Sequence, residues 1–123
     1  TPAAVPALVR ALADTAHEVR VMAALSLGES DLDAAPPALI EALGDAHPEV
    51  RAAAAHALGE ICDPASVNAL TRAMSDTSEE VRMAAIHALV DMDSDEATGA
   101  MIQLLDHEDP DVRRKAAQAL GNN

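Results

Sequence analysis

Two histidines stand 31 residues apart, His56 and His87, and each is followed four positions later by a carboxylate, Glu60 and Asp91. On a helix that spacing puts imidazole and carboxylate on one face, as metal-binding pairs require. Neighbouring helices lie ~8–10 Å apart, so the two pairs reach a common ion only with difficulty. Both are read as solvated surface, and no metal is expected. The run Asp91-Met92-Asp93-Ser94-Asp95-Glu96 opens like a calcium loop, but Glu96 stands where glycine is required and Ile102 where the closing Glu belongs. It reads as an acidic turn capping the next helix. The lone Cys62 lacks an announced base or orienting group for thiol chemistry and reads as a spare, half-buried residue. Ser26, Ser66, Ser75 and Ser78 carry no nucleophile motif. The chain is therefore read as non-enzymatic, with no catalytic residue and no cofactor.

The elements that position these residues repeat. Glu18-Val19-Arg20, Glu49-Val50-Arg51, Glu80-Val81-Arg82 and Asp111-Val112-Arg113 each open an Ala/Leu-rich stretch, and the four valines are spaced by 31 residues throughout. Such a period marks a solenoid, whose units are too small to bury their own apolar faces and must stack. The 123 residues contain no Phe, Tyr or Trp, although half are apolar, so the core must be Ala, Leu, Val, Ile and Met. The reading is one domain over 1–123, all-α, with two-helix repeats at about 1–31, 32–62, 63–93 and 94–123. Because the chain starts on a repeat boundary and stops just after a second helix, it is read as excised from a longer array.

The formal charge is −13, from 21 acidic and 8 basic residues. With four arginines committed to the repeated phrase, only Arg10, Arg72, Arg114 and Lys115 are left as surface cations. Nucleic acid and anionic membranes are disfavoured as partners, because both need a basic surface. A single cysteine fits a reducing compartment, and no run is apolar enough to span a membrane, so a cytoplasmic location is expected.

Along the chain, Thr1-Pro2 and Asp63-Pro64 are cap-plus-proline helix starts. Val5, Leu8, Val9 and Leu12 face inward in the first unit, with Val19, Ala23, Ser26 and Leu27 on its second helix. Leu39, Ile40 and Leu43 follow in the second unit, Val67, Leu70 and Met74 in the third, and Met101, Ile102 and Leu105 in the fourth. Gly28 and Gly59 are expected to end second helices in the left-handed conformation. Ser78 is expected to cap its helix, and Thr98-Gly99 to make the first helix of the fourth unit the weakest of the eight.

With Leu39-Ile40-x-x-Leu43-x-Asp45 and Val50-Arg51-x-x-Ala54-Ala55-x-Ala57-Leu58-Gly59 recurring in every unit, the sequence resembles HEAT-like repeats, particularly the short type named after phycobilisome lyases. The resemblance implies paired antiparallel helices in a right-handed superhelix, with the second helices lining the concave side. It also implies a ladder between the turn aspartates Asp14, Asp45 and Asp76 and the arginines Arg20, Arg51, Arg82 and Arg113. His107 occupies the aspartate column of the fourth unit and puts that rung in doubt, while Ser26, Ile86 and Val90 depart from the consensus. The family includes a di-iron hydroxylase with His-Glu after the arginine. Here those pairs are Val21-Met22, Ala52-Ala53, Met83-Ala84 and Arg114-Lys115, so that activity does not carry over.

The strip facing away from the core on the second helices is the candidate binding surface: Glu18, Val21, Met22, Leu25, Glu49, Ala53, His56, Glu60, Glu80, Met83, His87 and Asp91. It is Met-bearing at the centre and acidic at the rails, as an interface with a polar rim would be. The expected partner is a protein or peptide, and exposed end stripes allow end-to-end self-association. The alternative is an accessory or regulatory domain of a larger enzyme such as a bilin lyase.

Overall fold

The computed structural model describes residues 2–121, so the cap expected at Thr1 lies outside the described residues. Among them every regular element is helical. Four first helices, α1 (Val5–Ala11), α3 (Pro37–Glu41), α5 (Val67–Ala73) and α7 (Asp95–Leu104), alternate with four second helices. These are α2 (His17–Gly28), α4 (Pro48–Ile61), α6 (Glu79–Met92) and α8 (Pro110–Gly121). Short 3-10 turns precede α1 and α5 and follow α3. Each first helix packs on its own second helix, and α2, α4 and α6 form a closely packed row.

Local chemistry sets the starts. Proline opens α3, α4 and α8, where its missing N–H is no loss. Asp63 accepts from the Ala65 N–H at 2.9 Å, and Ser94 from the Ala97 N–H at 3.1 Å. Ser78 holds the cap position with extended backbone, but its hydroxyl takes no capping bond; the Asp76 carboxylate two residues earlier accepts the Ser78 N–H at 2.9 Å. In the first, second and fourth units Asp14, Asp45 and His107 accept the equivalent N–H of Ala16, His47 and Asp109. With Ser94 capping and Asp95 and Glu96 in its first turn, α7 is the longest of the first helices, despite Thr98 and Gly99.

Gly28 ends α2 as expected, but Gly59 lies inside α4, and neither takes the left-handed conformation. No glycine has positive φ; the left-handed residues are Asp31, Cys62 and Asp93, again one column with a 31-residue period. Gly28 and Gly59 are helical and lie where second helices touch. A Cβ on Gly28 would sit 2.9 Å from the Ala57 Cα, and one on Gly59 would sit 2.8 Å from the Ala88 Cα. Glycine here permits close approach rather than a turn.

The core runs along the stack: Leu27, Leu39, Val50, Leu58, Leu70, Met74, Val81, Leu89, Met101 and Val112 are fully buried. Departures from the expected inward set fall in the two outer units. Val19 is exposed although its counterparts Val50, Val81 and Val112 are covered, because no described unit stacks on that side of α2. Ile102 and Leu105 are exposed for the same reason at the other end, and Leu104 turns inward in their place. Cys62 is exposed rather than half-buried, its thiol donating to the Gly59 carbonyl at 3.0 Å.

Candidate functional site

Register is held by Arg20 and Arg51, each acting on two units at once, whereas Arg113 of the ladder expected from the sequence bonds only the His107 and Glu108 carbonyls of its own turn. Arg20 clasps Asp45 of the following unit through Nε (2.8 Å) and its second terminal nitrogen (3.1 Å), while the other donates to the Asp14 carbonyl at 2.7 Å. Arg51 repeats this on Asp76, at 3.0 Å through both nitrogens, and on the Asp45 carbonyl at 2.8 Å. A planar fork with five donors suits this double duty, which an ammonium cannot match. Burial works to raise the Asp45 carboxyl, but the Arg20 fork and the His47 N–H outweigh it and hold it below its ordinary value. Asp63 is likewise lowered, chiefly by the Ala35 and Ala65 N–H groups it accepts from.

The third rung is rewired. His107 Nδ1 takes over the capping bond from the Asp109 N–H at 3.0 Å, which leaves the neutral ring donating through Nε2 to the Ser75 hydroxyl at 2.8 Å. A ring so engaged cannot receive a guanidinium. Arg82 keeps its bond to the Asp76 carbonyl, reaches only to 3.5 Å from Asp111, and leaves Nε buried without a partner. Lys115, expected on the surface, is buried between α6 and α8 and bonds Glu79 at 2.9 Å and Asp111 at 3.0 Å. Asp111 also pairs with Arg114, and the Lys115 bond foremost lowers its carboxyl.

The same joint is wedged open. In the column of Gly28 and Gly59 the third second-helix carries Val90, and Ile86 and Lys115 replace alanines beside it. The α6–α8 packing is correspondingly much looser than that of α2–α4 or α4–α6. A cleft of about 300 Å³ opens there, floored by Met83, Ile86, Val90 and Ala119. Comparing columns signals Val90 and Ile86 in the sequence; the burial of Lys115 has no such signal.

Most of the candidate strip is at the surface. Glu18, Met22, Glu49, His56, Glu60, Glu80, Met83, His87 and Asp91 are exposed, and Val21 and Leu25 are half-buried. Ala53 is buried, and so is Ala52: α4 lies between α2 and α6 at close range, so short side chains at these positions are covered. The strip is thus divided into an α2 portion with Met22 and an α6 portion with Met83. His56 pairs with Glu60 at 3.3 Å, and among the described residues no three His, Cys, Asp or Glu side chains cluster as metal ligands. Asp91 and Met92 are helical, Asp93 is left-handed and Ser94 caps α7, so the acidic run is a helix-to-helix turn.

Over residues 36–121 the chain matches the family described as HEAT repeats, and over residues 19–45 the one described as PBS lyase HEAT-like repeat. The chain belongs to the HEAT-repeat family. No curated protein matches it. Among solved structures, the HEAT array is similar to the complex of CpcE and CpcF of phycocyanin lyase from Nostoc sp. PCC7120. That match has 26% identity and a TM-score of 0.75, and covers 96% of this chain and 53% of that one. An engineered protein matches at 27% identity and a TM-score of 0.65, over 96% of this chain and 61% of the other. Human deoxyhypusine hydroxylase shares the fold at 24% identity and a TM-score of 0.75, over 95% of this chain and 42% of its own. The HEAT array therefore spans between about two fifths and three fifths of these relatives' lengths. No described helix is long and apolar enough to cross a membrane.

Proposed function

We propose that this HEAT array is a protein-interaction scaffold that performs no chemistry itself and engages a protein or peptide along the concave face of α2, α4 and α6. One observation carries the reading: the exposed carboxylates Glu18, Glu49 and Glu80 recur at the same place on successive second helices, beside exposed Met22 and Met83. Methionine adapts to irregular partners, and carboxylates set orientation and encounter rate. Reversing charge at Glu49 and Glu80 (Glu49→Lys, Glu80→Lys) is expected to weaken partner binding about tenfold together, read by titration calorimetry. Unchanged affinity in the double variant rejects this surface.

The second reading, an accessory part of a chromophore lyase, is favoured by the similarity to CpcE and CpcF. Absorbance titration with a bilin separates the two: a spectral shift supports the lyase reading, and its absence at saturating pigment removes it.

A further inference from the structure

Resting on the scaffold reading, we infer that the pocket over the N-terminal turns of α2 and α4 is an anchor for a long cationic side chain, arginine foremost, of an extended basic peptide. The pocket, about 300 Å³, is lined by His17, Glu18, Val21 and Met22 of α2 and by Glu49 of α4. Its wall is almost wholly carbon, supplied by Val21 and by Met22, which is 60% exposed and the most exposed large apolar side chain of the described residues. At the rim stand two carboxylates, Glu18 with 77% of its side chain exposed and Glu49 also exposed.

Those features select the occupant. A purely apolar side chain would cover Met22 but strip water from Glu18 and Glu49 without replacing it. An acidic one is repelled, by the rim and by a chain of net charge −13. A side chain with a three- or four-carbon stem and a cationic head satisfies both parts, with the stem on Val21 and Met22 and the head between the carboxylates. The positive ends of α2 and α4 lie behind the rim, but each amounts to about half a charge against a full charge on each carboxylate, so attraction wins.

The other joints lack this combination. Between α4 and α6 the corresponding Ala52 and Ala53 are buried and offer no apolar cup. Between α6 and α8, Asp111 is already engaged by Arg82, Lys115 and Arg114. In the α2–α4 joint the repeated arginines are spent on the ladder, and Glu18 has only a 3.6 Å approach from His17, whose ring stacks on His47.

The test uses three fluorescein-labelled octapeptides alternating alanine with arginine, with citrulline or with norleucine. Citrulline keeps the shape of arginine without its charge, and norleucine keeps a stem without a head. The arginine peptide is expected to bind at least about tenfold tighter than either, with Glu18→Gln and Glu49→Gln each weakening it three- to five-fold and Glu80→Gln less than twofold. Amide NMR shifts are expected at Val21, Met22 and Glu49. Shifts confined to α6 and α8, or equal binding of the citrulline peptide, overturn the anchor and leave the concave scaffold standing. No binding of the arginine peptide likewise overturns the anchor alone, and shifts confined to α1, α3, α5 and α7 overturn both.

Discussion

Arg20 and Arg51 each replace a whole set of loop contacts, since each ties its own turn's carbonyl to the next unit's aspartate. His107 does half of the aspartate's work: it accepts the capping N–H but cannot receive Arg82. Restoring the carboxylate should complete the rung. His107→Asp is expected to stabilise the chain by about 1 kcal/mol, net of the lost Ser75 contact. A higher urea midpoint checks this, and no change would show that Asp111 already serves Arg82 fully. The lowered carboxyls also set a pH response. Asp45 and Asp63 sit below their ordinary 3.8, so their stabilising effect is complete above that value and is lost as pH falls through the folded pKa. Acid also relieves the chain's negative self-repulsion, which works the other way. Comparison with Asp45→Asn isolates the rung: below pH 4 the variant's urea midpoint should fall less steeply than that of the parent chain.

Among elements, two kinds of glycine predict opposite outcomes. Gly59 touches the Ala88 backbone, whereas nothing lies within 4 Å of a Cβ placed on Gly99 in α7. Alanine improves helix propensity at both by up to ~1 kcal/mol, but at Gly59 an overlap costing about 1–3 kcal/mol outweighs it. Thermal unfolding should therefore show Gly99→Ala raising Tm and Gly59→Ala lowering it. A rise in both would mean that α4 and α6 separate without penalty. Sequence reasoning found the glycine column but assigned it to helix termination, since a Gly near a helix end suggests a left-handed cap. The left-handed caps went instead to Cys62 on α4 and Asp93 on α6, while α2 is capped by Glu29 in right-handed backbone and turns left-handed only at Asp31. The distance between two helix axes cannot be read from either sequence alone.

At the scale of the molecule, the array is uneven. α4 is flanked closely by α2 and α6, while α8 meets α6 across a wedge of Val90, Ile86 and the buried Lys115. Local stability follows such contact density, so α8 should open before the centre. Native-state hydrogen exchange is expected to protect α4 amides at least about tenfold more than those of α8. Uniform protection from α4 to α8 would show that the Lys115–Glu79–Asp111 network fully replaces the tight joint. The unevenness also bears on recognition, because it leaves the acidic-rimmed anchor on the well-packed side and the α6–α8 cleft on the other.

Repetition made most of the fold legible. Four in-phase copies of Val-Arg with small and branched residues at helical spacing admit no strand and no self-sufficient unit, so eight stacked helices were determined by the sequence alone. The acidic strip was legible too, since a repeated carboxylate with no cation in its own or the facing column must face water, unlike the aspartates of the arginine ladder. What only the tertiary structure decided were properties of pairs: which aspartate each arginine takes, why Gly28 and Gly59 are glycines, and that Ala53 and Lys115 are covered while Val19 and Ile102 are not. A residue's own pattern fixes the face it occupies. What lies against that face depends on the separation of two helices, which is set by the bulkiest side chain between them.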